Sequence, residues 1–276
     1  MSAALEALRI PSPPPTSCRP ALNAAQAEGV DRAPHAVLAS AGPLTVSVAA
    51  TAREIEQALR LRHRVFAGEL GARVDGPEGL DRDIFDPYCR HLVVRDTSTD
   101  RVVGTYRVLM PEQARLLGCL YAEGEFWLTR LNPLRDSIVE LGRSCVDPEY
   151  RSGAAIMLLW SGLGALLSGT GHRYLIGCVS VPLADGGALA AGLYRKLSRE
   201  HLAEDWLRVW PRERLPLERF GNAAEPAVPA LMKGYLRAGA KLLGEPHVDA
   251  AFGCADFPMM LGLDALGARH RRRFLQ

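Results

Sequence analysis

Glu140 and Arg143 stand three residues apart inside Ile138–Val146, an apolar run that reads as a β-strand. Buried charges are costly unless they are paired or take part in chemistry. The run leads directly to Arg151-Ser152-Gly153-Ala154, where small residues open a long apolar segment. A helix starting there presents free main-chain N–H groups that can meet an anion closely. A carboxylate, a guanidinium and an anion cradle in one segment point to transfer of a group carried on a phosphate-bearing donor.

Two readings of Glu140 stay open. It can take a proton from a reacting group, directly or through water. It can also be the structural partner of Arg143. Residues three apart on a strand face opposite ways, so that pairing requires a bulge. Arg62 and Arg107 each interrupt an apolar pattern, and either can hold a carboxylate in a bidentate pair. Asp83 and Asp86 are separated by two residues in an acidic loop beside Phe85, where they can bind ammonium groups or stay solvated. All four can instead close on one another as a salt-bridge network. Cys145 is a nucleophile candidate that competes with the commoner buried structural thiol.

The elements that would position these residues follow from periodicity and punctuation. Residues 1–43 are rich in Ala and Pro and read as a flexible tail, with a short helix around Ala21–Ala27. Leu44–Val48 alternates like a strand. Thr51 and Glu54 form a capping box for a helix to about Phe66. Gly71–Pro87 is a loop, and His91–Arg95 with Val102–Met110 reads as an antiparallel pair. Phe126–Leu131 is a short element of unclear type. Gly153–Ser168 is apolar all round, which predicts a well-buried helix. Arg173–Val181 is a strand, Gly186–Glu200 a helix, Trp206–Leu215 a strand, Val228–Leu243 a helix and His247–Leu261 a strand region. Sequential pairing early and strand–helix alternation later predict a mixed α/β sandwich with a partly antiparallel sheet.

Bulk properties exclude several function classes. The chain has 276 residues and a net charge of +2, which gives no electrostatic case for nucleic acid. Its six cysteines include no CxxC pair, and they read as reduced thiols of the cytoplasm. The histidines lack metal-ligand spacing, so no metal site is expected. There is no GxSxG elbow and no strand–GxGxxG–helix fingerprint. No apolar run reaches membrane-spanning length, and the N-terminus lacks a secretory pattern.

From about residue 44 the ordered motifs resemble the ornithine lipid-forming N-acyltransferases of the GCN5-related acyltransferase superfamily. The resemblance rests on Leu61-Arg62-His-Arg-Val65-Phe66, Gly79 to Cys89 with Asp81, Asp83 and Asp86, and His91–Arg95. It continues through Val103–Arg107, Glu140–Val146, Leu158–Trp160, Leu175–Cys178, Leu231–Tyr235 and Cys254-Ala-Asp256-Phe257. It implies a mixed, mostly antiparallel sheet flanked by helices, in one domain over residues 44–276 with a C-terminal extension from about 228. The sheet would splay after the Ile138–Val146 strand, with a bulge there. Glu140 and Arg143 would be catalytic, and Arg62, Asp83, Asp86 and Arg107 would bind substrate. Cys145, Val146, Arg151, Ser152, Gly153 and Ala154 would bind the donor's 4'-phosphopantetheine, with N–H groups near Cys145 and Val146 holding the oxyanion. Trp160 either packs the core or lines an acyl tunnel.

The implied reaction moves a (3-hydroxy)acyl chain from acyl carrier protein to the α-amine of ornithine, the first step of ornithine lipid biosynthesis. No permanently bound cofactor is implied. Ala154 and Ile156 replace glycines that acetyl-CoA-dependent relatives carry, which agrees with a carrier-protein donor. An acidic carrier protein calls for a basic surface, offered by Arg195, Lys196 and Arg199 or by Arg269, Arg271, Arg272 and Arg273. The latter run also suits peripheral contact with anionic lipid on the inner face of the cytoplasmic membrane. A similarity to acyl-homoserine lactone synthases gives the alternative reaction. A catalytically inactive module that binds acyl carrier protein or acyl-lipid is the alternative of another class.

Overall fold

The structure is a computed structural model and describes residues 36–221 and 226–265. The expected helix at Ala21–Ala27 and the basic run Arg269–Arg273 lie outside those residues. Part of the predicted tail is instead ordered. Ala39–Ala41 is an edge strand (β1) pairing with Leu44–Val48 (β2). The expected boundary at Leu44 therefore moves toward the N-terminus, because a tight turn at Gly42 (φ 58°) folds the chain back.

The remaining strands are Arg90–Asp96 (β3), Arg101–Leu109 (β4), Phe126–Trp127 (β5), Ile138–Val146 (β6), Tyr174–Pro182 (β7), Trp210–Pro211 (β8), Lys241–Leu242 (β9), His247–Asp249 (β10) and Cys254–Gly262 (β11). The main sheet runs β1-β2-β3-β4-β6-β7-β11-β10, with β9 also on β11. Every pairing is antiparallel except β6 with β7. The mixed, mostly antiparallel sheet expected from the sequence is therefore present.

Helices cover both faces. Ala52–His63 (α1) begins at Thr51, whose capping box with Glu54 is formed as expected. It continues as a wider π-turn over Arg64–Glu69. Pro111–Leu117 (α2) was missed, since seven residues give too short a periodic pattern. Ala154–Leu167 (α3), Ala188–Ser198 (α4) and Ala230–Ala238 (α5) complete the set.

Alternation along the strands sorts the core. Val139, Tyr106 and Leu175 face α3 and pack on Leu158, Leu159, Leu163 and Leu167. Burying each such leucine contributes about 1.5–3 kcal/mol. Ile138, Ile176 and Met260 face the other way, toward the α2 side. On that same side α1 packs Ala58, Leu61 and Val65 against Val93, Val102 and Cys145.

Two expected elements are corrected. Trp206–Leu215 contributes the two residues of β8, which pair with β5, and a single bridge from Arg214 to His247. Val228–Leu243 is split at Gly239, whose φ of 100° ends α5 before β9. Cys89, Cys145, Cys178 and Cys254 carry free thiols. Cys119 is disulfide-bonded, which departs from the all-reduced expectation.

Candidate active site

The site is built where β6 leaves β7. Their parallel ladder holds only Ile138↔Tyr174, Val139↔Leu175 and Glu140↔Ile176. Past Glu140 the strands part. On the opposite edge of β6 the ladder with β4 jumps from Thr105↔Cys145 to Arg107↔Gly142. Arg143 and Ser144 thus oppose the single residue Tyr106, which is a β-bulge. Arg143 adopts φ 51°, a left-handed conformation unusual for a side chain with a Cβ. Both the splay and the bulge expected from the sequence are present. Main-chain groups along the parted edge of β6 lose a ladder partner and face the opening.

Glu140 faces the α1 and α2 side of the sheet and is buried. Its carboxylate accepts the main-chain N–H of Tyr121 at 2.6 Å and that of Ala122 at 2.7 Å. Burial raises its pKa to about 7, against the lowering effect of these bonds and of Arg107. No Glu140–Arg143 ion pair forms among the described residues. The structural alternative for Glu140 is therefore corrected: its partners are main-chain groups of the Tyr121–Gly124 turn, brought in by tertiary folding.

Arg143 turns to the acidic loop. Its Nη1 donates to the Tyr121 hydroxyl at 3.2 Å, and its guanidinium lies 5.0 Å from the Tyr121 ring and 4.9 Å from that of Phe252. It pairs with Asp81 at 3.3 Å and Asp83 at 3.5 Å. Glu140 and Arg143 are thus linked through Tyr121, which sequence reasoning missed.

The loop acids and the arginines form one balanced network. Arg62 donates from Nε to Asp81 at 2.7 Å and from Nη1 to Asp86 at 2.7 Å. Arg107 Nη1 spans both oxygens of Asp83, at 2.6 and 2.7 Å, and reaches Asp86 at 3.2 Å. Burial opposes the charge on Asp86, but Arg107 and Arg62 outweigh it and hold its pKa well below the usual carboxylate range. His91 Nε2 donates to the Asp86 carbonyl at 3.1 Å, and burial lowers the pKa of this ring to about 4. Arg62 has no exposed surface, and Asp86 and Arg107 are buried. The network expected as one reading of Arg62, Asp83, Asp86 and Arg107 is therefore formed, with Arg62, Asp86 and Arg107 at its buried centre. Asp83 and Arg143 keep some exposure at its rim.

The donor-side residues are brought together after β6. Gly153 caps α3 at φ 105° without any side-chain cap, so the first N–H groups of the helix keep no side-chain acceptor. Ser152 and Ala154 are exposed, and Val146 is partly so. Arg151 is committed elsewhere, in a bidentate pair with Glu69 at 2.5 and 2.6 Å. Burial raises the Cys145 thiol to about 12, which disqualifies it as a nucleophile at neutral pH.

A deep apolar groove opens at the splay on the α3 side. Tyr106, Leu141, Trp160, Gly164, Tyr235 and Met259 are among its walls, and Gly177 and Cys178 also line it. It encloses about 750 Å³, part of it open to solvent. Trp160 stacks on Tyr235 at 5.1 Å, and the Tyr235 hydroxyl meets that of Tyr106 at 3.0 Å. The C-terminal helix α5 thereby roofs the groove.

Residues 61–161 match the family model described as an acetyltransferase (GNAT) domain. The chain is 35% identical over 266 residues to an L-ornithine N(alpha)-acyltransferase of Brucella abortus, covering 90% of this chain and 95% of that protein. It is 34% identical to the protein of the same name from Rhodobacter capsulatus, covering 84% and 95%. The chain belongs to the L-ornithine N(alpha)-acyltransferase family. The solved AHL synthase LasI superposes with a TM-score of 0.49 at 13% identity, over 84% of this chain and 94% of that one. The sequence relatives favour the family assignment over the lactone-synthase alternative.

Proposed function

We propose that this family member transfers a (3-hydroxy)acyl chain from the 4'-phosphopantetheine thioester of acyl carrier protein to the α-amine of ornithine. The observation that carries the reading is the parting of β6 and β7 immediately after Glu140. It joins an apolar groove on one face of the sheet to a buried carboxylate on the other.

The acyl chain lies in the groove under Trp160 and Tyr235. The pantetheine arm runs through the splay, and its phosphate meets the N–H groups at Gly153 and Ala154. Glu140, with a pKa of about 7, takes the proton of the ornithine ammonium, directly or through water. The freed amine forms the C–N bond and the C–S bond breaks. The leaving thiolate takes a proton. N–H groups near Cys145 and Val146 hold the oxyanion on the way. Arg143 and Asp83, at the rim of the ion-pair network, bind the amino acid's charged groups. Arg62, Asp86 and Arg107 keep that rim in position.

The chain from the β1–β2 hairpin onward acts as one catalytic domain, with the extension from about 228 supplying the roof. Lys196, Arg199, Lys233 and Arg237 line one groove beside α4 and α5. Its charge complements an acidic carrier protein. The product is a lyso-lipid, made in the cytoplasm at the inner face of the membrane. No helix among the described residues is long and apolar enough to cross a membrane.

The test is lipid mass spectrometry after expression in a host without aminolipids. A new N-acyl ornithine supports the reading. A released lactone without new aminolipid supports the alternative reaction, and no acyl product at all supports a binding module.

A further inference from the structure

A second set of buried acids lies on the Glu140 face of the sheet and has no part in the chemistry above. Cys178 and Ser180 follow Ile176 on that face of β7, and Asp256 stands opposite Ser180 on β11. Ser180 Oγ donates to Asp256 at 2.6 Å. The Cys178 thiol donates to Glu125 Oε2 at 3.4 Å.

Glu125 is only 7% exposed, yet among the described residues this thiol is the one hydrogen-bond donor to its side chain. Among the described residues neither Glu125 nor Asp256 has a cation within ion-pair distance. Nearby Asp249 adds to their repulsion. Burial, then Asp256 and Asp249, push Glu125 well above the usual carboxylate range. Burial and Asp249 bring Asp256 to about 6. A protein that buries two acids together without a counter-ion has left a place for a cation.

We propose that Glu125 and Asp256 form the subsite for the side-chain ammonium of a diamino-acid acceptor, beside Cys178 on the Glu140 face of the sheet. The inference rests on the acyl-transfer reading above. The spacing matches: Cys178 is two residues, about 7 Å, along β7 from the position that faces Glu140. Extended ornithine separates its two nitrogens by about 6 Å. With the α-amine at Glu140, the distal ammonium falls beside Glu125. A neutral side chain of the same length would leave both acids uncompensated. Binding of the ammonium ionises the acids and releases protons, so ornithine affinity rises with pH.

The experiment measures kcat/KM for ornithine and for norvaline, which lacks only the distal amine, in the full chain and in E125Q and D256N. Circular dichroism confirms that each variant is folded, and calorimetry measures ornithine binding directly. The full chain is expected to prefer ornithine by about a hundredfold. Each variant is expected to reduce that ratio at least about tenfold, through the KM for ornithine. An unchanged ratio in both variants, or no preference in the full chain, overturns the subsite. So does a stoichiometric metal ion in the purified protein, because Asp249, Cys254 and Asp256 bring ligand atoms within 4.8 Å of one another. Failure to acylate either amino acid defeats the acyl-transfer reading instead. Calorimetry then decides the subsite: tenfold weaker binding in E125Q supports it, and equal binding or none overturns it.

Discussion

The main-chain N–H of Tyr121 donates to Glu140 Oε2 at 2.6 Å, while the hydroxyl of the same tyrosine accepts from Arg143. One residue from a remote turn thus holds both charged groups of β6. The bond fixes where the Glu140 carboxylate points and occupies part of its acceptor capacity. The remaining lone pairs are those left for a proton.

Activity is expected to rise with pH through about 7. Folding raises the pKa of Glu140 above its ordinary value, so the folded enzyme holds the proton below about 7 and the base is blocked. The same shift means that stability falls as pH rises from about 4.5 to 7, where only the unfolded chain has ionised this group. A kcat/KM profile that is flat from about pH 6 to 8 would remove Glu140 from the base role. Glu140→Gln should lower kcat at least about a hundredfold. Because an amide offers one acceptor oxygen to two N–H groups, it should also cost about 1–2 kcal/mol in urea unfolding.

Arg62→Ala is expected to destabilise the fold by about 3–5 kcal/mol, since it takes from buried Asp81 and Asp86 their shortest ion pairs and leaves only the longer ones to Arg143 and Arg107. Arg62→Lys should recover little, because one ammonium cannot reproduce a fork that spans two carboxylates. Denaturant midpoints of the two variants check this. A loss near zero for both would mean the network relaxes into solvent.

Arg143 offers a separation of backbone from side chain. Arg143→Gly and Arg143→Ala remove the same guanidinium, but only glycine suits φ 51° without penalty. The glycine variant should be the more stable by about 1 kcal/mol. Both should lose turnover. Equal stability would indicate that the bulge rearranges once the side chain is gone.

Gly164→Leu should shift donor preference toward shorter acyl chains, because the new side chain enters the groove beside Trp160 and Leu163. Chain-length profiles with acyl carrier protein donors measure the shift, expected to be about tenfold or more against the longest chain. An unchanged profile would put the acyl chain elsewhere.

Features set by local pattern were legible in the sequence. The limits of β6 follow from its apolar run, the start of α1 from Thr51 and Glu54, and the bulge from the opposite faces of Glu140 and Arg143. Partnerships across long sequence separation were not. Nothing near Glu140 announces Tyr121, nineteen residues earlier in the chain. Arg62, Asp83, Asp86 and Arg107 were found as residues, but their types fit a substrate cradle and an internal network equally. Burial decided between the two. Cys178, Tyr235 and Asp256 did sit in the motifs that carry the family resemblance. Their role was hidden because a lone thiol, phenol or acid in an apolar run reads as packing. The expected strand at Trp206–Leu215 is interrupted for a related reason: its pattern suits a strand, but it pairs only in pieces, with β5 at Trp210–Pro211 and with His247 at Arg214.

The short β6–β7 ladder makes the sheet a partition with a slit. On the proposed reaction, fatty tail and amino acid wait in separate compartments and meet through that slit. On the proposed reaction the product is born straddling the wall, its tail still on the greasy side. It can withdraw tail-first toward a hydrophobic sink without dragging hydrocarbon through the ionic chamber. That chamber is then free to take the next amino acid while the lipid departs.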